Sequence, residues 1–140
     1  MKRAFIDANV ILRYFTQDPP ELAEAARKTF SAAQEGLLVL VLAPITVAEV
    51  VWVLESFYGY RKSQISETIT HFLRSDGLEV IDRELMIQAL GLYREKNIDF
   101  ADALLAQFAL NQGTSLIYSF DNHFSRIPGI MKMKPGNLPD

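Results

Sequence analysis

Six consecutive apolar residues, Leu37-Leu38-Val39-Leu40-Val41-Leu42, constrain this chain more than any other feature. The run continues only to Ile45, interrupted by Pro44, so it is far too short to span a membrane. Its length and unbroken apolar character predict a strand over residues 37–42 that is covered on both faces. Strands buried in that way belong to parallel sheets whose connections are helical. Short apolar runs should then alternate with helices along the rest of the chain.

The pattern follows that rule. Arg3 to Ile6 predicts a short buried strand, and Asn9 to Phe15 has apolar residues at helical spacing. Asp18-Pro19-Pro20-Glu21 is a helix start, with Asp18 as N-cap, prolines in the first turn and an acid three residues on. That helix should reach about Gln34 and stop at Gly36. Helices are expected over Pro44–Phe57 and Ser63–Arg74, separated around Gly59, with Ile65, Ile69, Phe72 and Leu73 as the apolar stripe of the second. Leu78 to Ile81 predicts a strand, Asp82 to Lys96 a helix, and Asp99 to Gln112 another that Gly113 closes. Ser115 to Ser119 is a last strand, with Ile130 to Met133 as an edge strand. The expected fold is α/β, a three-layer α/β/α sandwich around a central, mainly parallel sheet, forming a single domain over residues 1–140.

Five carboxylates fall where this topology converges. Asp7 ends the first strand, Glu49 follows the second, and Asp121 follows Ser115-Leu116-Ile117-Tyr118-Ser119-Phe120. Asp99 and Asp102 share a face at the start of the last long helix. Residues just beyond the carboxyl ends of parallel strands meet in one crevice. Acids gathered there repel one another unless protonated or bound to a cation. Cysteine is absent and His occurs only at positions 71 and 123, so the expected ligands are oxygens and the expected ion is Mg²⁺ or Mn²⁺. Metal-assisted hydrolysis of a phosphodiester is the chemistry that suits such a site.

Charge leaves that reading open. The formal net charge is −3, but setting the five acids aside leaves twelve acidic residues against fourteen basic ones, a surplus of +2. Without cysteine there is neither a disulfide scaffold nor a thiolate metal site. Lys2 and Arg3 precede only three apolar positions before Asp7, which is no secretory signal, so a cytoplasmic protein is expected.

Each acid also has a structural reading. Asp7 fits an N-cap, and Thr46-Val47-Ala48-Glu49 fits a capping box. Asp99 and Asp102 fit a cap and a first-turn acid. Behind Asp102, Ala106 and Ala109 form a small-residue stripe, with Phe100, Leu104 and Phe108 as the bulky one. That arrangement allows close approach to the sheet and favours a functional Asp102. Asn9 and Asp99 are accessory candidates. His123 reads as a polar loop residue, and His71 as a surface or partly buried one. Trp52, Phe57, Tyr58 and Tyr60 read as core or dimer contacts in preference to a base-stacking platform. Five separate coincidences at one rim of a sheet are less economical than a single metal site.

Taken in order, four segments resemble the PIN-domain ribonucleases, specifically the VapC type of bacterial and archaeal toxin. They are Phe5-Ile6-Asp7-Ala8-Asn9-Val10-Ile11-Leu12, Pro44-Ile45-Thr46-Val47-Ala48-Glu49, Asp99-Phe100-Ala101-Asp102-Ala103-Leu104-Leu105-Ala106, and Ser119-Phe120-Asp121 with Phe124 and Ile127-Pro128-Gly129. The resemblance implies that Asp7, Glu49, Asp102 and Asp121 surround one or two Mg²⁺ or Mn²⁺ ions. It also implies an RNA substrate, a homodimer and a cognate antitoxin that occludes the site. Two rivals remain: an aspartyl phosphotransferase with Asp7 as nucleophile, and a non-catalytic PIN-like RNA-binding module. The first would ordinarily have an acid where Asn9 stands and a Lys near a later strand. The second would ordinarily have lost one of the acids.

Overall fold

In the computed structural model, which describes residues 2–140, the chain divides into two compact units, the first ending at Arg83 and the second running from Glu84 to Asp140. The first contains β1 (Arg3–Phe5), α1 (Ala8–Thr16), α2 (Pro20–Gln34), β2 (Val39–Leu42), α3 (Pro44–Ser56), α4 (Lys62–Leu73) and β3 (Leu78–Val80). Its sheet has the order β1-β2-β3, parallel throughout, with Arg3 opposite Val39 and Leu40 opposite Leu78. Two helices cross over between each pair of successive strands. The apolar run behaves as its composition demands: Leu40, Val41 and Leu42 of the central strand are 2%, 0% and 0% exposed.

Around that strand, Ile11 and Leu12 of α1, Val47, Val50 and Leu54 of α3, and Ile65, Ile69 and Leu73 of α4 are all buried. The expected apolar stripe of α4 is therefore the one observed. An aromatic cluster joins three helices, with Phe72 edge-on to both Phe15 and Phe30 at centroid distances of 5.2 and 5.5 Å. Gly77, at φ +87°, leads into β3; a Cβ there would lie 2.5 Å from the carbonyl carbon of Ala33. No side chain fits at that place. Arg83 then donates to the carbonyls of Leu73 and Leu78, at 2.8 and 3.2 Å, fastening the end of α4 to β3.

Several expectations need correction. β1 is an edge strand with β2 as its one partner, and its residues are exposed, Phe5 by 68%. Only Ile6, just past the strand, is buried. An apolar run of that length does not distinguish an edge from a core strand. Leu37 and Leu38 precede β2 because the Leu37 N–H returns to the Ala32 carbonyl and finishes the turn after α2. The N-cap of α2 is Pro19, not Asp18, and no side chain caps it. Trp52 and Phe57 are 67% and 78% exposed, so neither belongs to the core.

The second unit contains α5 (Arg83–Lys96, whose first residue closes the preceding unit), α6 (Phe100–Asn111), β4 (Leu116–Tyr118), a 3-10 turn (Asn122–Arg126) and β5 (Met131–Met133). β4 and β5 form a parallel pair of their own, with Leu116 opposite Met131. Tyr93, fully buried, meets the ring of Phe100 edge-on at 6.0 Å. The buried face of α6 is Phe100, Ala103 and Ala106. The expected bulky stripe is thus only partly formed, since Leu104 and Phe108 are half-buried.

Candidate metal centre

The 3-10 turn after β4 supplies the first donors. Asp121 caps it in an extended conformation, φ −88° and ψ 128°. Its N–H donates to Ser119 Oγ at 2.8 Å, and its Oδ1 accepts the His123 N–H at 2.8 Å. That closed loop of hydrogen bonds is the turn Asp makes with the backbone two residues on. It brings the imidazole back beside the carboxylate, with Nδ1 3.1 Å from the same Oδ1. The two atoms are in contact without hydrogen-bond alignment: Nδ1 is a buried polar atom with no hydrogen-bond partner. The rings and carboxylates remain reachable, the two side chains being 44% and 42% exposed. Buried Phe124 and Ile127 anchor the turn from beneath.

Asp102 stands in the first turn of α6, after Asp99 at the N-cap. Asp99 makes no side-chain capping bond, so its expected capping role is not taken up by the side chain. Burial pushes the Asp102 carboxyl above its ordinary value, the charges of Asp99 and Asp121 push it further, and His123 partly offsets them. Among the described residues, Asp102, Asp121 and His123 each present a donor atom, and these atoms all lie within 4.8 Å of one another. Two carboxylate oxygens and an imidazole nitrogen, one carboxyl disfavoured as an anion and one buried nitrogen unpartnered, fit a small divalent cation.

The other expected residues lie in the first unit. Asp7 is the N-cap of α1, at φ −86° and ψ 154°, and its Oδ1 accepts the Ala8 N–H at 2.8 Å. Its structural reading therefore holds for one oxygen of an exposed carboxylate. The capping box expected at Thr46 and Glu49 does not form, because α3 starts earlier, with Ala43 as N-cap and Pro44 in the first turn. Glu49 is an exposed residue well inside the helix and, among the described residues, has no hydrogen bond or ion pair. Asn9 is exposed in the first turn of α1. His123 was not among the expected ligands. The available signal was its place two residues beyond Asp121 in a turn-forming segment.

The model of the PIN domain matches residues 4–130. The chain belongs to the PIN domain family. PIN domains are typically nucleases, generally dependent on divalent metal ions, and act on RNA. The expected fold class stands with that membership: a PIN-like α/β fold built of parallel strands and six α-helices. Among curated proteins no match is found. No helix of the described PIN chain is long and apolar enough to cross a membrane.

Proposed function

We propose that this PIN domain is a Mg²⁺- or Mn²⁺-dependent endoribonuclease of the VapC toxin type, acting as a homodimer and held in check by a cognate antitoxin. The observation that carries the reading is the gathering of Asp102, Asp121 and His123 within 4.8 Å, on a chain that matches the PIN family over residues 4–130. The four segments that resemble VapC toxins supply the finer assignment.

In this reading Asp102 and Asp121 hold the cation, and Asp7 and Glu49 contribute the further carboxylates the reaction needs. Such an ion, when bound, makes a water acidic enough to attack phosphorus and offsets charge on the leaving oxygen. Ser119 fixes the backbone of Asp121, whose Oδ1 is held by the His123 N–H, and Asp102 is carried on the first turn of α6. Asp7 keeps one oxygen on the Ala8 N–H, and its other oxygen is not engaged by that bond. Glu49, with no hydrogen bond or ion pair among the described residues, is available to orient water or bind charge. No side chain acts as nucleophile.

End-group analysis of one RNA cleavage reaction tests this. Attack by water leaves a 5′-phosphate and a 3′-hydroxyl, cleavage stops in EDTA, and Mn²⁺ restores it. Formation of a 2′,3′-cyclic phosphate in EDTA would overturn the metal-dependent reading altogether. RNA binding that never leads to cleavage under any divalent ion would favour the non-catalytic module.

A further inference from the structure

We infer that His123 is itself a ligand of the cation, and that it biases this centre towards first-row transition ions and away from Mg²⁺. The inference rests on the metal-site reading above and adds to it a nitrogen donor and a class of ion.

Geometry is the first support. Ligands at right angles, each about 2.1 Å from an ion, lie about 3 Å apart. His123 Nδ1 and Asp121 Oδ1 are 3.1 Å apart, the spacing of neighbouring positions in one coordination sphere. The second support is the condition of that nitrogen. A buried polar atom without a hydrogen bond is uncommon and calls for an explanation, and Nδ1 of His123 makes none among the described residues, only the 3.1 Å contact with Asp121 Oδ1. Asp121 Oδ1, the nearest acceptor, is already engaged by the His123 N–H. The turn therefore sets a ring nitrogen of His123 beside the Asp121 carboxylate, and Asp102, Asp121 and His123 each offer a donor atom within 4.8 Å of the others.

Donor chemistry then sets the ion. Mg²⁺ takes oxygen ligands and gives up water reluctantly, so an imidazole adds little to its binding. Imidazole suits first-row transition ions, whose affinity for a nitrogen-containing site rises from Mn²⁺ onward along the series.

The full chain, freed of metal with a chelator and then loaded with Mn²⁺, decides the matter by pulsed electron paramagnetic resonance. A ¹⁴N coupling from one directly bound imidazole is expected. It should persist in His71→Ala and vanish in His123→Ala, with Mn²⁺ affinity by calorimetry falling about tenfold or more and Mg²⁺ affinity nearly unchanged. Bound Mn²⁺ without nitrogen coupling in the wild-type protein would overturn the inference, whatever the variants do. The Asp102→Asn protein separates the two levels: weakened Mn²⁺ binding there keeps the carboxylate site even if His123 fails. Unweakened binding would sink the site and His123 together.

Discussion

Burial and the neighbouring charges of Asp99 and Asp121 disfavour the ionised form of Asp102, so folding and ionisation oppose each other at this side chain. Its folded value lies above its unfolded one. The associated stability is then complete below the ordinary carboxylate range and is lost as pH rises through the raised folded value. Asp102→Asn should accordingly melt higher than the wild type at neutral pH in EDTA, and the gap should close as pH falls below about 4, where the acid is neutral in both states. Thermal unfolding at both pH values checks this; a lower melting temperature for the variant at neutral pH would contradict it. Glu49 offers the complementary case. Because it caps nothing, Glu49→Gln should leave stability within about 0.5 kcal/mol of wild type, while RNA cleavage falls about a hundredfold or more, the scale of losing a group that positions a reacting water. Asp102 and Asp121 could be read from the sequence because both follow recognisable element boundaries. Thr46 and Glu49 imitate a helix start, which gave Glu49 a structural reading that the position of Pro44 in the first turn removes. His123 was read as a polar loop residue because its closeness to Asp121 comes from the closure of a turn, which residue type alone does not announce.

At the scale of elements, α3 has two unlike faces. Val47, Val50, Val51 and Leu54 are at most 2% exposed, whereas Ile45 and Trp52 are 79% and 67% exposed. The outward pair brackets Glu49 at helical spacing, so Ile45, Glu49 and Trp52 form one exposed stripe. Leu54→Ala should destabilise the protein by about 2–5 kcal/mol, as loss of a fully buried Leu does. Trp52→Ala should change stability by less than about 1 kcal/mol, since little packing is removed. Urea denaturation of both variants measures the contrast, and equal losses would mean that Trp52 is packed. Hydropathy alone made Trp52 read as a core or dimer contact. The positions of the inward residues were legible from their spacing, but an apolar residue on the outer face leaves the same mark in a sequence as one in the core. The strands show the same asymmetry: β2 was evident from its unbroken run, while β1, apolar at Ala4 and Phe5, lies at an edge.

Across the whole molecule, the alternation of strands and helices was legible because each crossover needs its own start and stop signals. The grouping of strands was not, since local sequence does not say which strands become neighbours; β4 and β5 pair with each other, apart from the sheet of β1, β2 and β3. Parallel pairing has a further consequence, in time. β1 meets β2 across thirty-six residues, from Arg3 to Val39, and β2 meets β3 across thirty-eight, from Leu40 to Leu78. Each closure must wait for two intervening helices, which makes this a fold of distant contacts and slow assembly. Synthesis runs in the same order. The sheet of the first unit is encoded before Arg83, whereas Asp102, Asp121 and His123 all come after it. For most of its time on the ribosome, a machine made largely of RNA, the growing chain possesses strands and core but not yet the donors that would gather an ion.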